Sequence, residues 1–407
     1  MSDVCYGGNG QLSPAFVPAL MRASAITTGT PYSLDAAVGA RHWGLTKALL
    51  ASNMNATMGK PISVNDFVVD NGVNSLRTIY QQDRNGENAL TDGSCPPDVA
   101  CGDPYSEFNT AVCKEIQDSF CIDDETMRRF SAEKRRMITV EVPGKGTFSM
   151  PEALVETFNT TATGLLRRLN SELWGEVPSI VGVNAVNGSA APYPFNVTVA
   201  FFGNAPIDSG GQEIAKIKFQ NAMGKMHIVG FGNFFNYVNS LGAARLGNIP
   251  SVNYFGTSQP LLVDGNFWFH ADPLADTELG ANQSFLFDDG KVQLITQNFK
   301  GSPNWKATGN FDPSNPATLT EWTPTNETLL GGNETLYFLM PVFAEPGLFL
   351  DVKMKRIDCV NGKIGNNGWQ VTMWLTYGIY KIPSSFYSTT GSLAGTTKAI
   401  LIETGAL

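Results

Sequence analysis

Histidine is scarce in this chain of 407 residues. His42, His227 and His270 are widely separated, and no H-E-x-x-H, C-x-x-C or H-x-E spacing accompanies them, so the ligand patterns of zinc enzymes and structural zinc sites are missing. Cysteine is nearly as rare. Six residues, at 5, 95, 101, 113, 121 and 359, are diluted through a large chain, which is unlike a disulfide scaffold and makes free thiols the expectation. No apolar run reaches the roughly 18 residues that would span a bilayer. The start, Met1-Ser2-Asp3-Val4-Cys5-Tyr6-Gly7, lacks the charged region and apolar core of a secretory leader, so a protein made in a cytoplasm that does not cross a membrane is expected. Basic excess is absent too: the net charge is -9, which confers solubility and offers no electrostatic footprint for nucleic acid. There is no G-x-S-x-G elbow and no Walker loop. Gly230-Phe-Gly232-Asn-Phe-Phe lacks the last glycine of a dinucleotide fingerprint, and its phenylalanines stand where a phosphate needs small residues.

What the chain has in abundance is turn chemistry and aromatic side chains. With 41 Gly and 23 Pro beside 25 Phe, loops should connect sheets with aromatic faces, and 43% hydrophobic against 16% charged residues marks a folded α+β protein rather than a disordered one.

The most strongly patterned stretch runs from Ser149 to Trp174. Ser149-Met150-Pro151-Glu152 reads as a capping box with proline in the first turn. Leu154, Val155, Phe158, Ala162, Leu165, Leu166, Leu169 and Leu173 then recur at the helical period, opposite Glu156, Asn159, Thr160, Arg167, Arg168, Ser171 and Glu172. Gly175 and Pro178 are expected to end it.

Before this helix, residues 1–70 read as an extended arm with short helical turns, including a helix between Trp43 and Met54. Val73 to Gln81 alternates as a strand and leads into a Gly, Asn, Pro and Asp rich excursion to Pro104. Tyr105 to Ser119 and Asp123 to Met137 carry helical spacing, and the basic end of the second, Glu133-Lys134-Arg135-Arg136, reads as a solvated helix end. After the long helix, a strand at Asn196 to Phe202, a helix at Gly210 to Met223, a strand at Lys225 to Gly230 and a helix at Asn233 to Leu246 predict one α/β unit. Residues 249–334 turn β-rich, with a hairpin signal at Asp289-Gly290. Two long antiparallel strands follow: Leu348, Leu350, Val352 and Met354 alternate in the first, and Trp369, Val371, Met373, Leu375 and Tyr377 in the second.

Candidate chemistry is thin. Cys95, Cys101, Cys113 and Cys121 cluster, but their spacings match no established metal site. Asp288 and Asp289 are adjacent carboxylates of the kind a glycosidase pairs, yet beside Gly290 a turn explains them more simply. Trp268, Trp305, Trp322 and Trp374 could line a sugar site, and a β-rich viral or cell-surface adhesion module that binds glycans is the alternative function; in a β-rich chain such residues more often fill core or interface.

The order of elements resembles the major capsid proteins of tailed double-stranded DNA phages, the Hong Kong 97 type of shell fold. Two stretches are also similar to that family: Phe285-Leu-Phe-Asp-Asp-Gly-Lys-Val-Gln-Leu-Ile-Thr-Gln-Asn-Phe and Trp369-Gln-Val-Thr-Met-Trp-Leu-Thr-Tyr-Gly-Ile-Tyr-Lys-Ile-Pro. The resemblance implies an N-terminal arm over residues 1–70, an extended loop with following helices over 71–148, a spine helix over 149–175, a peripheral domain from 176–248 with 335–407, and a β-rich axial domain over 249–334. It further implies a non-enzymatic subunit of a virion, made in the host cytoplasm, that assembles with itself into pentamers and hexamers around double-stranded DNA. No cofactor, metal or sequence-specific DNA contact is implied, while separate scaffolding, portal and decoration proteins are possible partners. The subunit contacts expected on this basis are Arg77, Tyr80 and Arg84 in the extended loop, Arg167 and Arg168 on the spine, and Asp288, Asp289 and Lys291 at the axial hairpin. No Lys and Asn can be matched to the crosslink that some members form.

Overall fold

A computed structural model describes residues 3–4, 16–28, 43–52, 67–70, 73–81, 105–126, 136–142, 144, 146–185, 188–195, 209–221, 223–245, 261–263, 267–297, 305–307, 321–324, 335–343, 348–357, 367–381 and 398–405. The strands are, in chain order, β1 (Asp3–Val4), β2 (Phe67–Asp70), β3 (Val73–Gln81), β4 (Tyr105–Ala111), β5 (Lys114–Asp123), β6 (Met137–Val142), β7 (Gly146–Pro151), β8 (Tyr193–Phe195), β9 (Met226–Gly230), β10 (Leu261–Val263), β11 (Phe267–Ala271), β12 (Gln283–Asp288), β13 (Val292–Gln297), β14 (Trp305–Ala307), β15 (Glu321–Pro324), β16 (Thr335–Phe343), β17 (Leu348–Ile357), β18 (Gly368–Lys381) and β19 (Ala399–Thr404). Helices occupy Phe16–Thr28, Gly44–Ala51, Glu152–Ile180, Ser209–Gln220 and Gly232–Arg245, with a single turn at Ala275–Glu278. The architecture is mixed helix and sheet, as expected. No helix among the described residues is long and apolar enough to cross a membrane.

The long helix Glu152–Ile180 carries the larger core. Its Leu154, Val155, Phe158, Ala162, Leu165, Leu166, Leu169, Leu173, Trp174, Val177 and Ile180 are buried, while Arg167 and Arg168 stay exposed. Against this stripe lies a seven-stranded sheet in the order β13-β18-β17-β16-β15-β14, with β5 on the far side of β18. The predicted pair of long strands is present: β17 and β18 are antiparallel, with Val352 opposite Met373 and Met354 opposite Val371. Phe158 meets Phe120 edge-on at 5.0 Å and Phe338 at 6.5 Å, a geometry that adds to the area buried.

The helix differs from expectation at both ends. No capping box forms, because Ser149 belongs to β7, where it faces Thr139 of β6 and shares a 2.9 Å hydroxyl contact with it. Pro151 takes the N-cap position without a side-chain cap, and the Glu152 amide donates to the Arg136 carbonyl at 2.9 Å. Gly175 keeps negative φ and does not break the helix. Pro178 sits close enough to the end that little of the ladder follows it, and the helix runs on to Ile180.

One predicted helix is strand instead: Tyr105 to Ser119 is replaced by β4 and the start of β5. Of the helix predicted from Asp123 to Met137, residues 124–126 form a helical turn and residues 127–135 lie outside the described residues. Val112, Ile116 and Phe120 are four apart, which satisfies a helix and a strand equally; Ile122 settles the period at two, with Ile116 and Ile122 buried and Glu115, Gln117, Ser119 and Cys121 exposed. The arm also holds more helix than expected. Phe16–Thr28 buries Phe16, Ala19, Leu20 and Ala23 and is pinned to the long helix by the Ser24 hydroxyl, which donates to Asn159 Oδ1 at 2.7 Å.

The predicted hairpin at Asp289-Gly290 is a turn that does not return the chain to its own neighbour. β12 pairs with β9 and β19, whereas β13 pairs with β18, so the turn passes the chain from a six-stranded sheet, ordered β10-β11-β9-β12-β19-β8, to the seven-stranded one. The sheets therefore cut across the segment limits expected at 248/249 and 334/335: β11 and β12 join β9, and β13 to β15 join β16 to β18. β2, β3 and β4 form a separate small sheet, as do β1, β7 and β6. The predicted strand at Asn196 to Phe202 and the excursion from 82 to 104 lie outside the described residues.

Gly44 starts its helix hard against the end of β11: a Cβ there would lie 2.5 Å from the Ala271 carbonyl oxygen and 2.7 Å from Asp272 Cβ. Backbone cannot swing aside as a side chain can, so Gly44→Ala should cost about 1–3 kcal/mol, measured by urea unfolding; an unchanged midpoint would show that the helix is free to shift outward.

Candidate functional site

The polar groups converge at two adjoining places where the N-terminal helix Gly44–Ala51 reaches the six-stranded sheet. At the first, Asp272 follows β11 into the interior and is fully buried. Its Oδ2 accepts from the Leu45 amide at 3.0 Å, Asn170 Nδ2 at 2.8 Å and Trp174 Nε1 at 3.0 Å, and its Oδ1 accepts from the Leu274 amide at 3.0 Å. Asn170 is itself held, its Oδ1 accepting from the amide and hydroxyl of Thr46. Burial raises the Asp272 carboxyl above its usual range while the hydrogen bonds oppose that rise. The chemistry is that of an anchor: one carboxylate binds the N-terminal helix, the long helix and the sheet end together.

At the second place His227 of β9 and His270 of β11 are buried side by side, Nδ1 to Nε2 at 3.0 Å. His227 Nε2 lies 3.2 Å from Asp289 Oδ1, and its ring stacks on Phe287 at 5.2 Å. Asp288 next door accepts from the Gly224 amide at 2.7 Å and is pushed up to about 6 by burial. Neither place was legible in the sequence, because His227 and His270 are 43 residues apart and Asp272 and Asn170 are 102 apart; only a sheet register brings such residues together.

The sequence-predicted contact residues divide sharply. Arg77 and Tyr80 lie on β3 in the small separate sheet, at positions opposite Asn109 and Ser106 of β4; Arg84 lies outside the described residues. Arg167 and Arg168 are exposed on the long helix, with Arg168 Nε donating to Glu172 at 2.9 Å one turn on. Asp288 and Lys291, expected as contact residues, are buried within the chain and Asp289 is largely so: the turn is a crossing between sheets and is packed from both sides.

Cys113 and Cys121 are free, exposed thiols, and Cys95 and Cys101 lie outside the described residues. No group of three or more metal-binding side chains occurs among the described residues. The four tryptophans considered for a sugar site are split, Trp268 in the six-stranded sheet and Trp305, Trp322 and Trp374 on separate strands of the seven-stranded one.

No family model matches the chain, and no curated protein sequence matches it. Among solved structures it is similar to phage capsid structures. A cyanophage A-1(L) capsid chain aligns at 11% identity over 82% of this chain and 90% of that one, with a TM-score of 0.39. A chain of Mycobacterium phage Che8 aligns at 10% identity over 88% and 90%, with a TM-score of 0.35. A chain from the head of Helicobacter pylori bacteriophage KHP40 aligns at 10% identity over 81% and 85%, with a TM-score of 0.32.

Replacing the anchor should be costly in proportion to the donors it strands. Asp272→Ala leaves three buried N–H groups and a part-buried one without their acceptor and should cost about 4 kcal/mol, whereas Asp272→Asn, which keeps one acceptor oxygen, should cost about half that. Guanidinium unfolding of both variants tests the ranking; equal losses would mean that the site is held by shape rather than by the carboxylate.

Proposed function

We propose that this chain is the major capsid protein of a tailed double-stranded DNA phage of the Hong Kong 97 type. In this reading it is a structural, non-enzymatic subunit that assembles with itself into pentamers and hexamers. These close into the icosahedral head shell that encloses DNA without reading its sequence. The subunit is made in the host cytoplasm and resides in the virion, and separate scaffolding, portal and decoration proteins complete the assembly.

The observation that carries the reading is the long helix. Its 29 residues extend about 43 Å at 1.5 Å per residue, and one stripe is buried from Leu154 to Ile180. N-terminal elements and the seven-stranded sheet are laid on that same rod. A shell subunit is loaded by neighbours through heterologous contacts that close only by symmetry, and a stiff element crossing the subunit keeps those contacts in register. The order around it supports the same reading: N-terminal elements first, then a small three-stranded sheet (β2, β3, β4), then the rod, then the six-stranded sheet and a return along β16 to β18. On this reading the seven-stranded sheet and the rod form the peripheral unit and the six-stranded sheet the axial unit, joined at the crossing from Asp288 to Lys291.

The purified chain, alone and with a candidate scaffolding protein, should form shells, tubes or five- and six-fold rings in negative-stain electron microscopy and light scattering. A monodisperse monomer under every condition would overturn the reading. Charged contacts set register and encounter more than subunit stability, so Arg77→Glu combined with Arg84→Glu should leave a folded subunit whose particle yield falls by about tenfold, the equivalent of about 1.4 kcal/mol for the two changes together. Normal particles from that variant would remove the extended loop from the interface.

A further inference from the structure

The pair His227 and His270 has no part in the proposed shell contacts, yet it sits where four separately coded segments meet. β9 and β11 supply the rings. The turn after β12 supplies Asp289. The end of helix Gly44–Ala51 closes over that turn: the Ser52 hydroxyl accepts from the Gly290 amide at 2.8 Å, and the Ser52 carbonyl accepts from Gln293 Nε2. An N···N contact of 3.0 Å needs one N–H and one bare nitrogen. The closed pair therefore holds at most one added proton, because a second would set two N–H groups and two charges against each other.

We propose that His227 and His270 form an acid-sensitive latch on the seam between helix Gly44–Ala51, the turn from Asp288 to Lys291 and the six-stranded sheet. At neutral pH the neutral pair is closed. In acid the opened seam takes up a proton that the closed seam refuses. The groups that act on the pair come from every side: Lys47 from the helix opposes a charge on His270, and Asp289 faces His227. Asp288 is flanked by Lys291 and Lys398. Asp272, two residues beyond His270, is turned to the long helix.

The sign follows from burial. His270 is held well below the usual histidine range, by desolvation first and then by His227 and Lys47. Its contribution to closure is present above the ordinary value near 6.5 and is lost as pH falls below it. Asp288 works in the opposite sense. Its folded carboxyl titrates at about 6 against an ordinary 3.8, so the closed turn gains a proton in acid that the open one does not, and closure tightens as pH falls from about 6.

Hydrogen exchange of the unassembled full-length chain reads the latch directly, so a negative result leaves the shell reading untouched. Each proton taken up only on opening multiplies the opening constant by about ten per pH unit below the ordinary pKa. Between pH 7.5 and 5.5, after correction for intrinsic exchange, peptides covering 44–52 and 286–293 should open about tenfold more in Asp288→Asn. The same peptides should open about two- to threefold more in the native chain, and less in His270→Phe, where His270 no longer opposes the carboxyl of Asp288. An identical pH response in His270→Phe and the native chain overturns the proposal. Histidine C2–H exchange on the native chain supplies an arm that needs no variant: His270 should show its inflection well below the ordinary histidine value near 6.5, and an ordinary inflection for His270 also overturns the proposal.

Discussion

The buried carboxylate of Asp272 is the contact on which the rest of the fold depends. It gathers donors from the first turn of helix Gly44–Ala51, from the middle of the long helix and from the chain leaving β11. Apolar burial would hold these elements together without fixing how they slide on one another, whereas hydrogen bonds to one buried oxygen hold only at one register. The carboxylate thus converts a hydrophobic association into a defined one. The close approach at Gly44, whose Cα has no room for a methyl group against Ala271 and Asp272, is the steric counterpart of the same constraint.

Around that point the two cores divide the work. The larger one runs along the long helix, the seven-stranded sheet and the N-terminal helices. The smaller one fills the six-stranded sheet and its two helices with Phe195, Phe234, Tyr237, Phe267 and Phe269, whose rings meet tilted or edge-on at centroid distances from 5.5 to 6.1 Å. The turn from Asp288 to Lys291 is one covalent bridge between them, which accounts for charged residues being buried there: the chain must cross, and its polar groups find partners on both sides.

Periodicity made the long helix, the helix at Gly44–Ala51, the helices around β9 and the pair β17 and β18 legible in the sequence, since each has a run long enough for one period to win. It failed where a spacing of four served both periods, as at Val112, Ile116 and Phe120. It failed again at the ends of the long helix, where Ser149 was already committed to a strand. The turn at Asp289-Gly290 was legible as a turn, but its neighbours were not, because two strands joined by a short connection pair with each other by default and here each finds better-buried partners elsewhere. The polar centres at Asp272 and at the histidine pair were invisible for a different reason: their members are brought together by sheet order, and sheet order is a property of the whole chain.

The placement of β19 sets a schedule for folding. It lies between β12 and β8 and is hydrogen-bonded to both, antiparallel to the first and parallel to the second. Until Ala399–Thr404 has been made, β8 has no neighbour in its sheet and β12 has one open edge. Edges of that kind invite pairing with other chains, and contacts spanning about two hundred residues form late. The six-stranded unit is therefore finished only once the ribosome has delivered nearly the whole described chain, so a nascent chain keeps open sheet edges until its last described strand has emerged.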